Sequence, residues 1–159
     1  MIMISLEVTD IKSFTNELFI GDSFNDFLVS EVSISTSNTF KIDGNINTSF
    51  YSTDELEQLG SSKFVKWKRL KPICFHIIKG NRLPSKFKMT FLLSGVSIAK
   101  FLKDNPIGLQ PENINALALN IRYENHKITC ITGTSLNIFT MDKSLENLWD
   151  SSIEKFIKW

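Results

Sequence analysis

Between Leu117 and Thr132 the chain alternates in a way that admits one local structure. Leu117, Leu119, Ile121 and Tyr123 are apolar at every second position, and Ile128, Cys130 and Thr132 resume the alternation after the polar Glu124-Asn125-His126. Successive side chains of a strand point to opposite faces, so a period of two describes a strand with one buried face. Two such strands across a short polar link form an antiparallel hairpin. The same signature recurs at residues 27–46, where Leu28, Val32 and Ile34 precede the turn Ser35-Thr36-Ser37-Asn38, and Phe40, Ile42 and Ile46 follow it.

Hairpins with one apolar face need a cover, and the chain supplies helices to provide it. Asp10 precedes Ile11, Phe14 and Leu18 at helical spacing, and Gly21-Asp22 closes that element. Ser52 and Glu55 have the spacing of a capping box, which predicts a short acidic helix ended by Gly60. Ser94 or Gly95 opens a helix with Ile98, Phe101 and Leu102 inward, stopped by Asn105-Pro106. Asp142 caps a last helix whose Leu145, Leu148, Trp149, Ile153, Phe156 and Ile157 form an apolar stripe. Further strands are expected at Ile2, Ile4, Leu6 and Val8, and at Phe87, Met89, Phe91 and Leu93, which alternate with Lys86, Lys88 and Thr90. The run Pro72–Ile78 is continuously apolar and reads as a strand buried on both faces, joined through Gly80–Ser85 to an antiparallel neighbour. Ser135–Thr140 reads as a third strand after the second hairpin.

The fold class predicted is α+β, an antiparallel sheet with packed helices in a single domain over residues 1–159. Residues 2–46 and 87–133 share the order strand, helix, hairpin, which predicts two pseudo-symmetric units. Over nearly its whole length the chain resembles an uncharacterised bacterial protein family of unknown function. The stretches that carry this are F-K-I-D-G, F-H-I-I-K-G, N-I-R-Y-E-N, I-T-G-T-S-L and M-D-K-S-L-E. That resemblance implies no activity. The run from Ala118 through Ile138 is also similar to the hairpin of a sliding-clamp domain, with a small-residue corner leading into a third strand; the resemblance implies paired strand-helix-hairpin units. Clamp helices turned toward DNA are basic, whereas here Lys12 stands against Glu17, and Glu146, Asp150 and Glu154 against Lys143, Lys155 and Lys158.

Net charge is +1, yet its distribution is lopsided. Residues 1–57 hold ten acids and two bases, while residues 58–103 hold eleven bases and no acid. Such asymmetry points to a polyanionic partner. Within the basic block, Lys63–Lys71 interleaves cations with Phe64 and Trp67, a composition suited to a nucleic-acid backbone with base stacking. The candidate anion-binding residues are Lys66, Trp67, Lys68, Arg69 and Lys71, extended by Arg82, Lys86 and Lys88. The competing reading buries Trp67 as an anchor and turns the lysines to solvent or toward the acidic N-terminal third.

Other chemistry is poorly supplied. Cys74 with His76, and His126 with Cys130, lack the tight-turn knuckles of structural zinc sites, so no metal or cofactor is predicted. No Gly-rich phosphate loop occurs, and no catalytic residues are assigned. The functional expectation is a non-enzymatic binding module that contacts nucleic acid or another polyanion through residues 63–88. The alternatives are a protein-interaction or self-associating domain, and an enzyme with a site assembled from distant residues. No window reaches the roughly 18 apolar residues of a membrane span, and Glu7, Asp10 and Glu17 occupy the first twenty positions. The expected location is the cytoplasm, away from membranes, with both cysteines as free thiols.

Overall fold

The structure, a computed structural model, describes residues 4–60, 62–80 and 82–159. Among these residues, seven strands form one open antiparallel sheet and five α-helices accompany it, an α+β fold. In chain order the elements are β1 (Ser5–Glu7), α1 (Ile11–Phe19), β2 (Leu28–Ser35), β3 (Thr39–Asp43), α2 (Thr53–Leu59), β4 (Val65–Lys66) and α3 (Trp67–Ile78). Then come β5 (Lys86–Leu92), α4 (Gly95–Asp104), β6 (Ile114–Glu124), β7 (Lys127–Leu136) and α5 (Ser144–Phe156).

The sheet runs β1-β7-β6-β5-β2-β3, and β4 pairs with β2 beside β3. The long hairpin β6–β7 turns on Asn125 and His126, both left-handed at φ 53° and 62°, the geometry whose twist matches the flanking strands. Alternation puts Phe87, Met89 and Phe91 of β5, Leu117, Leu119 and Ile121 of β6, and Ile128 and Cys130 of β7 on one buried face. Helices cover that face, and the buried side chains form one cluster. Asp10 accepts from the Ser13 amide to cap α1, Ser94 does the same for α4 from Ser97, and Ser52 with Glu55 forms the full capping box of α2. For α5, Asp142 accepts from the Ser144 amide one position ahead of the cap residue, Lys143.

Gly44 marks where β3 gives way to β4 along the same side of β2. Its amide donates to Ser30 and its carbonyl accepts from Val65, and a Cβ there would lie 1.7 Å from the Val29 carbonyl oxygen, so only glycine fits the crossing.

Three expectations need correction. Pro72–Ile78 is the second half of helix α3 rather than a strand. Trp67, Leu70, Lys71, Cys74 and Ile78 take the covered side at helical spacing, and the apolar run looks continuous because the two flanks of that side carry the exposed Ile73 and Phe75. The connector after Gly80 therefore links a helix to β5. The predicted third strand does not form: Ser135 and Leu136 prolong β7 opposite Ala116 and Ile114, and Asn137–Thr140 leaves the sheet. No corner occurs at Gly133, which stays in register with Ala118. Of the acids that α5 sets against its lysines, Glu146 and Asp150 are buried.

The order strand, helix, hairpin does occur twice, as β1-α1-β2-β3 and β5-α4-β6-β7, with Ile2 of the first copy lying outside the described residues. The pairings differ, however. Strand β5 lies against β6 of its own hairpin, whereas β1 pairs with β7 and not with β2 or β3. The two hairpins consequently occupy unlike places, one inside the sheet and one reaching its edge.

Candidate anion-binding face

The residues of the basic run have separate fates. Trp67 is fully buried, its ring against Phe19 and Phe91 and its Nε1–H donating to the Leu18 carbonyl at 2.8 Å. The expectation of a base-stacking Trp67 is overturned, because that indole has no surface to offer. Lys71 is likewise occupied: its ammonium donates to the Gly21 carbonyl at 2.6 Å and to Asn25 Oδ1 at 2.7 Å, with Asp22 3.7 Å away. It ties α3 to the acidic N-terminal third. Lys66, Lys68 and Arg69 remain exposed beside a groove of about 630 Å³ floored by Tyr51, Phe64 and Pro72, with the Arg69 guanidinium 5.7 Å from the Tyr51 ring. The neighbouring Glu55 carboxyl is held below its usual range, first by the Ser52 amide and hydroxyl and lastly by the Arg69 charge. Arg82 is exposed in the connector before β5.

Lys86 and Lys88 lead elsewhere. On β5 they face away from the helices, and register supplies neighbours that linear sequence does not. Lys88 sits opposite Arg122 on β6 and opposite Ser33 on β2, and Ser33 sits opposite Lys41 on β3. Lys41, Ser33, Lys88 and Arg122 thus form one row across four strands, roughly 14 Å at the usual strand spacing. Lys86 stands one row along, between Ser35 and Glu124. These side chains line a depression of about 530 Å³ on the open face. On its other flank lies a row of Asp43, Glu31, Thr90 and Asn120.

The electrostatics of the row are unfavourable by themselves. Cross-strand like charges destabilise a sheet, and Lys88 faces Arg122 directly. Among the described residues the one ion pair within 4 Å is that of Lys71 with Asp22, so none of Lys41, Lys88 and Arg122 is neutralised by a carboxylate at contact distance. Bounded by acids on either side, the row is a narrow cationic stripe rather than a broad positive field.

Nucleophiles and metal ligands are arranged differently. Burial pushes the thiols of Cys74 and Cys130 up to about 12, which keeps them protonated and unreactive at neutral pH. Cys74 is buried and His76 exposed on α3, Cys130 points into the core, and His126 sits in the β6–β7 turn, so the four are not brought together. Asp10, Glu17, Asp43 and Asp142 are each held low chiefly by hydrogen bonds from a nearby Ser or Asn, as turn and cap acceptors. The buried Asp150 accepts from the Thr132 hydroxyl at 2.5 Å, and that hydroxyl in turn accepts from the Ile4 amide. Sequence reasoning missed Lys41 and Arg122 altogether. Their alternation placed them on wet faces, but nothing local told which strands would be neighbours.

A family model described as a family of unknown function matches residues 17–159. No curated protein and no solved structure matches the chain.

Proposed function

We propose, for a chain that belongs to the family of unknown function DUF5721, a binding module that takes the phosphate backbone of a nucleic acid across the open face of its sheet. The observation that carries this reading is the row Lys41-Ser33-Lys88-Arg122, in which two cations face each other across neighbouring strands with no carboxylate of the described residues within 4 Å. An anion placed between them removes their repulsion and accepts hydrogen bonds from both, along with the Ser33 hydroxyl. The stripe is one row wide, which suits a run of phosphates. The outward positions of β2, β5 and β6 carry Ser, Thr, Asn, Lys, Arg and Glu, with Leu92, Ala116 and Ala118 at one end and no aromatic ring, so the contact is to phosphate and not to stacked bases. Lys66, Lys68 and Arg69 belong to a separate surface and contribute long-range attraction. Two free buried thiols are in keeping with a reducing, intracellular setting, and no helix among the described residues is long and apolar enough to cross a membrane.

The test is titration of a labelled oligonucleotide at about 50 mM and about 200 mM salt, a range over which several phosphate contacts weaken binding by orders of magnitude. Changing Lys88 and Arg122 together to Ser should abolish binding at the lower salt while raising stability by about 0.2–1 kcal/mol, since a like-charge pair is relieved. Changing Lys66, Lys68 and Arg69 together to Ser should weaken binding by less. Unchanged affinity in the Lys88/Arg122 variant, or no binding by the parent protein, refutes the reading.

A further inference from the structure

A second surface lies in the helical layer. An open groove of about 780 Å³ runs between α1 and α3, with Phe87 and Tyr123 in its floor. Its rim is apolar and projects into solvent: Ile20 is 57% exposed, Phe75 38% and Leu83 80%. Helix α3 places Phe75 there, on the flank of the side that buries Trp67 and Cys74. Clustered exposed apolar side chains at a groove mark a docking surface.

Charge and shape together define the occupant. Lys12 lines the groove, Lys79 directly follows the lining residue Ile78, and Arg82 directly precedes Leu83. No acidic residue lines it among the described residues, and the acids of α1 and its cap are engaged, Asp10 with Ser13 and Glu17 with Ser23. A small molecule lying on the floor would leave Ile20 and Leu83 in water, whereas a peptide laid along the groove covers them. We infer that this groove docks an amphipathic acidic segment of a partner protein, its apolar side chains between α1 and α3 and its carboxylates against Lys12, Lys79 and Arg82. The mode is that of an apolar helix face in a groove, with charge setting its orientation. The inference stands apart from the basic stripe, which lies on the opposite face of the sheet.

The experiment is a phage-displayed library of random peptides of about 16 residues, long enough to lay an amphipathic helix along a groove, panned against the full chain. The Ile20→Ser/Leu83→Ser variant serves as counter-target. Enriched peptides are expected to carry apolar residues at i, i+3, i+4 and i+7 with a net negative charge. Synthesised, they should lose at least about tenfold in affinity both against that variant and against Lys12→Glu/Lys79→Glu/Arg82→Glu, as removal of interface anchors does. Binding to Lys88→Ser/Arg122→Ser should be unaffected. If the double serine variant does not fold, Leu83→Ser alone, at an 80%-exposed position, carries the comparison. Enrichment of neutral or basic peptides, equal capture by the counter-target, or binding of oleate that no selected peptide competes for overturns the inference.

Discussion

Trp67 closes the gap between α1, α3 and the sheet, and its single polar side-chain atom, Nε1, donates its hydrogen to the Leu18 carbonyl. Trp67→Ala should therefore destabilise by about 3–5 kcal/mol, the range for truncating a buried aromatic, and Trp67→Phe by less, because it keeps most of the volume but orphans that carbonyl. Urea denaturation of both variants checks the order. In the nine residues Lys63–Lys71, composition disclosed the cations but could not say which were free. Whether Trp67 faces in or out depends on a carbonyl 49 positions earlier, and Lys71 is claimed by Gly21 and Asn25 in a turn that no local pattern connects to it. The two thiols make a further residue-scale prediction. Each is raised from 9.0 to about 12 in the folded protein, so above pH 9 the unfolded chain releases protons that the native one keeps. Stability should be full below pH 9 and fall as pH rises toward 12. Native protein should also resist alkylation at pH 8 until it is unfolded.

Helix α5 buries Leu145, Trp149 and Ile153 as its periodicity foretold, and Trp149 Nε1–H donates to the Ala118 carbonyl at 2.9 Å. Its two buried acids were not legible, since acids on a helix next to lysines ordinarily face water. Asp150 has the Thr132 hydroxyl, but the Glu146 Oε2 is buried with no hydrogen-bond partner among the described residues, and the residue is only 6% exposed. A buried carboxylate oxygen left without a donor costs about 1–3 kcal/mol, so Glu146→Leu should raise the melting temperature and the urea midpoint. A fall in either would mean that the carboxylate has a favourable role in place. Helix α3 teaches the complementary lesson. Seven apolar-looking positions in a row have the pattern of a two-faced buried strand, yet they belong to a helix that buries one side and leaves Ile73 and Phe75 exposed on its two flanks. The misreading and the docking groove have the same origin: apolar residues retained where no core receives them.

Over the whole molecule, the α+β class and the two hairpins could be read from alternation alone, because a period of two is a property of each strand by itself. The order of strands could not. Lys41, Lys88 and Arg122 lie in three strands separated by long connections, and they become one row only because β2 lies between β3 and β5 and β5 lies beside β6. The basic block seen in the sequence thus supplies one of the three cations of this row, Lys88, with Lys41 drawn from the acidic third and Arg122 from the near-neutral one. The stability gain and loss of binding predicted together for Lys88→Ser/Arg122→Ser test this molecular arrangement rather than any one residue.

The place of β1 has a consequence for time. Strands β6 and β7 pair across a two-residue turn, whereas β1 finds its partner more than a hundred residues away, Ser5 opposite Ile131. Closing a long loop is entropically slow, so the local hairpin is expected to form early and act as a template, with the edge strand added after the barrier has been crossed. In stopped-flow measurements Ile121→Val should chiefly slow refolding, while Leu6→Ala should leave the refolding rate nearly unchanged and speed unfolding. A chain growing from the ribosome would then hold its first strand unpaired until β7, nearly the whole sheet later, has emerged.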